Sequence, residues 1–86
     1  MSNGARIPDE LARKFGDIEG RRQLMKDYGD KSSMFTGTNQ DGEDVSISIA
    51  ASGIIETVYQ GNGRVRIDYY DENGYQTGSK YDGQWN

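Results

Sequence analysis

The apolar positions of this chain change period once, close to Asp30. Before that point they recur at helical spacing. Ile7, Leu11 and Phe15 are four apart and fall on one face of a helix. Pro8 suits its first position, where a missing N–H costs nothing. Asp9 and Glu10 complement the N-terminal end of the dipole, and Arg13 and Lys14 the C-terminal end. Gly16 is a stop signal, and Asp17 a cap for a second helix running from about Ile18 to Tyr28 and closed by Gly29. Ile18, Leu24, Met25 and Tyr28 form its apolar face. Gly20 weakens it by about 1 kcal/mol relative to Ala. The same spacing also fits one helix bent at Gly16; two pieces are the expectation.

From Ser33 onward the period is two. Met34 to Thr38 reads as a strand, followed by the turn Asn39-Gln40-Asp41-Gly42. Val45, Ile47 and Ile49 alternate with Ser46 and Ser48, the signature of a half-buried strand. Ser52-Gly53 breaks it. Ile54 to Gln60, Arg64 to Tyr70 and Tyr75 to Tyr81 follow, separated by Gly61-Asn62-Gly63 and Asp71-Glu72-Asn73-Gly74. The pattern predicts an α+β fold, with one or two short N-terminal helices packed on a five-stranded antiparallel meander sheet. One domain is expected over residues 1–86, helical over 1–30 and antiparallel β over 33–86. The expected core is Leu11, Phe15, Ile18, Met25, Val45, Ile47, Ile49, Val65, Ile67 and Tyr69. Glu56, Val58, Arg64, Arg66, Asp68 and Tyr70 are assigned to the opposite face.

Charge follows the same division. Residues 1–32 carry seven basic and six acidic side chains, a net of +1, and residues 33–86 carry three and eight, a net of −5, which together give the chain's −4. Such a surface repels nucleic acid and anionic membranes and attracts basic proteins. Apolar residues make up 33% of the chain, which leaves a small core; six Tyr supply part of the missing apolar area. A second copy of the chain is one way to cover the remainder. No segment has the ~20 apolar residues of a membrane span. Met1-Ser2-Asn3-Gly4-Ala5 lacks the basic and apolar regions of a signal peptide, so a cytoplasmic location in a bacterial host cell is expected.

The chain has no Cys and no His. That excludes disulfides, thiolate metal sites, and Ser/His or Cys/His nucleophilic catalysis. A carboxylate pair for glycoside hydrolysis is compositionally available, but no pair stands out, and the acids cluster in turns where Asp bonds local backbone. Aligning Gly42 or Gly74 with the Gly of an EF-hand loop puts Ser48 or Lys80 where the Glu ligand belongs, so both are hairpin turns. No cofactor or metal is expected, and no enzymatic activity. Tyr59, Tyr69, Tyr70, Tyr75, Tyr81 and Trp85 crowd the C-terminal half. Stacking on single-stranded nucleic acid is one use for them, with Arg64, Arg66 and Lys80 as a local basic patch. Cross-strand pairing and a protein interface are the others. On helix two, Arg21, Arg22 and Lys26 make a basic face, read as solvated.

Tyr69-Tyr70-Asp71-Glu72-Asn73-Gly74 followed by Gly78-Ser79-Lys80-Tyr81-Asp82-Gly83-Gln84-Trp85 resembles one unit of the MORN-type hairpin repeat. A solenoid needs about three stacked units, and only one is present. The stretch from Ile54-Ile55-Glu56-Thr57-Val58-Tyr59 through Trp85 is similar to small proteins encoded by Gram-positive gut bacteria, their phages and mobile elements. That resemblance implies a non-enzymatic accessory protein of the anti-CRISPR or anti-defence type, which occupies the basic nucleic-acid channel of a host nuclease.

The functional expectation is an acidic protein-binding module that inhibits a larger basic nucleic-acid-binding protein. The residues expected to make contact are the turn acids Asp41, Glu43, Asp44, Asp71, Glu72 and Asp82 and the aromatics Tyr70, Tyr75, Tyr81 and Trp85. The alternative is a self-associating β module, forming a homodimer through an open strand edge or the Tyr-rich face.

Overall fold

Pro8 and Asp17 set where the two helices begin. A computed structural model of the protein describes residues 5–38, 42–61 and 63–82. Helix α1 spans Asp9–Phe15 and α2 spans Ile18–Tyr28. Pro8 is extended and sits at the cap, its carbonyl accepting from the Ala12 N–H at 3.1 Å. Gly16 ends α1, and the Asp17 carboxylate accepts from the Gly20 N–H at 3.3 Å to open α2. Gly20 has a second role. A methyl group there would collide with the Lys14 carbonyl, so its absence lets the start of α2 press against the end of α1. A 3-10 turn, Gly29–Lys31, leads into the sheet.

The strands are β1 (Ala5–Arg6), β2 (Ser33–Thr38), β3 (Asp44–Ala50), β4 (Gly53–Tyr59), β5 (Val65–Tyr70) and β6 (Gln76–Asp82). Strands β2 to β6 form the expected five-stranded antiparallel meander, lying side by side in chain order. An addition is β1, two residues long and parallel to β2, with Ala5 opposite Phe35. It is too short to carry a periodic signal.

Register defines two faces, because directly paired residues point the same way. One face carries the rows Ser33–Ile49–Ile54–Tyr70–Gln76, Phe35–Ile47–Glu56–Asp68–Ser79 and Gly37–Val45–Val58–Arg66–Tyr81. The helices pack here. Leu11, Leu24, Met25, Phe35, Ile47, Ile49 and Ile54 form the core cluster, with Ile7, Phe15, Tyr28 and Tyr70 against its edge. Fully burying a side chain such as Leu24, Ile49 or Ile54 contributes about 2 kcal/mol each. Phe15 meets Tyr70 and Tyr28 meets Phe35 edge-to-face, at 5.2 and 5.0 Å between ring centroids.

The expected facing of β5 is reversed. Val65, Ile67 and Tyr69 lie on the side away from the helices, and Arg66, Asp68 and Tyr70 on the helix side with Glu56; Val65 is nevertheless buried, as expected of a core residue, at 8% exposed. Val58, assigned to the outer face, is 0% exposed on the inner one. The cause is register combined with limited cover. Val58 pairs with both Val45 and Arg66, so β5 must turn its even positions inward. The helices rest on β3 and β4, leaving β5 without an apolar surface to match on that side.

Candidate functional site

Two arrangements follow from this register. The first is polar and lies beyond the helix cover on the inner face. Asp68 is a carboxylate only 6% exposed. It is held by Arg66 Nε at 3.2 Å, by the Ser79 hydroxyl at 2.7 Å and by the Gln76 amide at 3.4 Å. Three donors compensate its burial. Its cross-strand partner is Glu56, and the two carboxyls share a hydrogen bond. Burial first, then the Asp68 charge and that hydrogen bond, raise the Glu56 pKa to about 7; Arg66 and Arg21 pull it down. Burial also raises the Tyr70 hydroxyl, with Glu56 and Asp68 adding to it.

On the basic face of α2, Lys26 is exposed as expected, but Arg21 and Arg22 are structural. Arg21 donates to the Gly74 carbonyl at 2.8 Å and to the Phe15 carbonyl at 2.7 Å, and its guanidinium lies 4.7 Å from the Tyr70 ring centroid. Arg22 donates to the Asn73 carbonyl at 2.8 Å. Together they fasten the β5–β6 turn to the helix. Gly74 is required there, because its φ is +87° and a Cβ would press on the Ile18 carbonyl. Inside the turn, the Asp71 carboxylate accepts from the Asn73 and Tyr75 N–H groups at 2.9 and 3.0 Å.

The second arrangement is the uncovered sheet face. Its rows are Met34–Ser48–Ile55–Tyr69–Gly78, Thr36–Ser46–Thr57–Ile67–Lys80 and Thr38–Asp44–Tyr59–Val65–Asp82. Met34, Ile55 and Tyr59 are 56%, 42% and 40% exposed there. At one end an open groove of 1060 Å³ runs past Met34, Thr36, Thr38, Asp44, Ser46 and Tyr59, with Gly61 and Gly63 of the β4–β5 turn at its rim.

The expected contact residues divide between these places. Glu43 and Asp44 stand at the groove end, and Asp82 closes β6 in the same row. Asp71 and Glu72 stand at the opposite end of the sheet, some 20 Å away over six residues of strand. Asp71 is committed to its own turn. Tyr70 is half-buried between Phe15 and Arg21 on the inner face, which corrects its placement as an outward contact. Tyr75 is exposed near Arg22, and Tyr81 is exposed under Arg64, with 5.6 Å from guanidinium to ring centroid. Asp41 and Trp85 lie outside the described residues. The acids therefore do not converge on one patch.

Nor do Arg64, Arg66 and Lys80 make a basic groove. Arg66 is paired with Asp68 on the inner face, and Lys80 belongs to the outer one. Sequence reasoning missed Glu56 and Asp68 as a pair and Tyr59 as a groove residue. The signal for the first was two acids at matching positions of adjacent strands. Among the described residues, no three potential ligands converge on a metal geometry, and no helix is long and apolar enough to cross a membrane. No protein-family model matches the chain, and neither a curated protein nor a solved structure matches it.

Proposed function

We propose that this chain is a non-enzymatic binding module that docks on the basic surface of a larger protein through the uncovered face of its sheet. The observation that carries this reading is the joint exposure of Met34, Ile55 and Tyr59 on a face against which no described element packs, with Asp44 at its end. Apolar and aromatic side chains supply buried contact, and net negative charge steers a basic partner toward them. The charge of −4 further suits an inhibitor that occupies a nucleic-acid-binding channel, as of a nuclease, in the cytoplasm of a bacterial cell.

The test is affinity capture with the intact chain from nuclease-treated bacterial lysate, at low and then high salt. The expected result is one basic nucleic-acid-binding protein held near stoichiometrically, released by salt and lost when Asp44→Lys is combined with Tyr59→Ser. Recovery of the bait alone, or a partner indifferent to salt and to both substitutions, overturns it. A second reading, self-association, rests on β6, Gln76–Asp82, which is last in the strand order and has no further strand beside it among the described residues.

A further inference from the structure

We propose that the Asn73–Gly74 peptide is a site of spontaneous deamidation that the hold of α2 on the β5–β6 turn keeps shut, so that release of the turn leads to an irreversible change in the chain. In this reaction the Gly74 amide nitrogen attacks the side-chain carbonyl carbon of Asn73. A C–N bond forms, and the side-chain amino group leaves as ammonia together with the proton of the Gly74 N–H. Water then opens the cyclic imide to aspartate or isoaspartate. A following glycine favours the attack, because no Cβ hinders its nitrogen. The sequence holds three Asn-Gly pairs, at 3–4, 62–63 and 73–74, and the last is the one whose two residues are both described. Its glycine is not replaceable: φ is +87°, and a Cβ would stand 2.9 Å from the Ile18 carbonyl oxygen. The turn therefore requires the glycine that makes Asn73 reactive.

Ring closure needs the peptide plane between Asn73 and Gly74 to rotate until its nitrogen faces the Asn73 side chain. Both polar groups of that plane are engaged. Its N–H donates to the Asp71 carbonyl at 3.0 Å, and its carbonyl accepts from Arg22 Nε at 2.8 Å. The planes on either side are held as well. The Asn73 N–H donates to the Asp71 carboxylate at 2.9 Å, and the Gly74 carbonyl accepts from Arg21 Nε at 2.8 Å. Asn73 is exposed to water, whereas Gly74 is buried against α2. Two of these four bonds come from α2, and both are lost when the hairpin leaves the helix. Isoaspartate does not fit the same turn. Its extra main-chain methylene displaces both the carbonyl that Arg22 holds and the N–H that Asp71 holds. Either product adds one negative charge to the chain's −4, beside Asp71 and Glu72.

The experiment is ageing of the intact chain in mildly alkaline buffer, followed by digestion in acid and mass-spectrometric mapping. The map assigns aspartate and isoaspartate at position 73 separately from positions 3 and 62. Wild type unfolded in urea gives the unprotected rate. Native wild type is expected to react at position 73 about a hundredfold more slowly, because only the opened turn reacts. Arg21→Ala should raise the native rate about tenfold, the value of one charged hydrogen bond, and Arg22→Ala should act in the same direction. Val58→Ala removes buried apolar volume towards the other end of β4 and should leave the rate at position 73 unchanged. The amide spectrum of each variant reports its fold, and if Arg21→Ala does not fold, Arg22→Ala carries the comparison alone. Equal rates in native and urea-unfolded wild type overturn the proposal. So does a folded Arg21→Ala or Arg22→Ala that reacts no faster than wild type, or an equal acceleration by Val58→Ala.

Discussion

Glu56 gives a chain without histidine a group that titrates near neutrality, at about 7. Its neighbours are Ile47 on β3, Asp68, Arg66 and Tyr70 on β5, and Arg21 from α2. The sign of its effect is opposite to that of a paired carboxylate. The folded chain holds this proton up to about pH 7, whereas an unfolded chain releases it near 4.5. Between those values the folded state binds more protons, so stability falls as pH rises through that window and is flat above it. With allowance for partial solvent access, the loss is on the order of 1–2 kcal/mol. Glu56→Gln keeps the hydrogen-bonding shape and removes the ionisation. Urea denaturation of both proteins at pH 5 and pH 8 should show wild type losing that much more than the variant. A difference independent of pH contradicts the raised Glu56 pKa.

At the scale of elements, α2 and the β5–β6 hairpin are joined by side chains that the sequence presents as a solvated basic face. Arg21 makes two bonds to backbone carbonyls and covers Tyr70. Arg21→Ala should therefore cost about 2 kcal/mol, and Arg21→Lys should restore little, because an ammonium lacks the planar fork. Amide exchange at Gly74, whose N–H bonds the Asp71 carbonyl, should accelerate in step. Unchanged protection there means that the hairpin holds itself and the arginine contacts are incidental. The helix boundaries were legible, because Gly16, Asp17 and Gly29 act locally through caps and stops. The strands and the Asp71–Gly74 turn were legible for the same reason. The facing of β5 was not. Val65, Ile67 and Tyr69 alternate as core residues do, and only the pairing of Tyr59 with Val65 reveals that they look away from the helices. That pairing depends on how five residues fold between them, which alternation does not encode. The carboxyl pair was hidden with it, since Glu56 and Asp68 meet only once that register is known.

Across the whole molecule, a meander sends alternate turns to opposite ends. The β2–β3 and β4–β5 turns share one end, and the β3–β4 and β5–β6 turns share the other. Strand count alone thus separates Glu43 and Asp44 from Asp71 and Glu72, and this part of the site could have been read from the sequence. The outer edge at β6 is shielded in the ways natural edges are, by Lys80 and by a register irregularity between Tyr69 and Tyr70. Sedimentation equilibrium of the isolated chain at micromolar concentration should accordingly give a monomer. A salt-insensitive dimer transfers the weight to self-association. Strand order that copies chain order also sets a timetable. During synthesis α1 and α2 leave the ribosome first, yet Leu24 and Met25 find their partners only when Ile47, Ile49 and Ile54 exist. Until then the helices are short amphipathic pieces below the length at which isolated helices persist in water. The β3–β4 hairpin, closed by two residues, is the earliest unit able to hold them. Its formation turns a local event into the step that commits the chain to its fold.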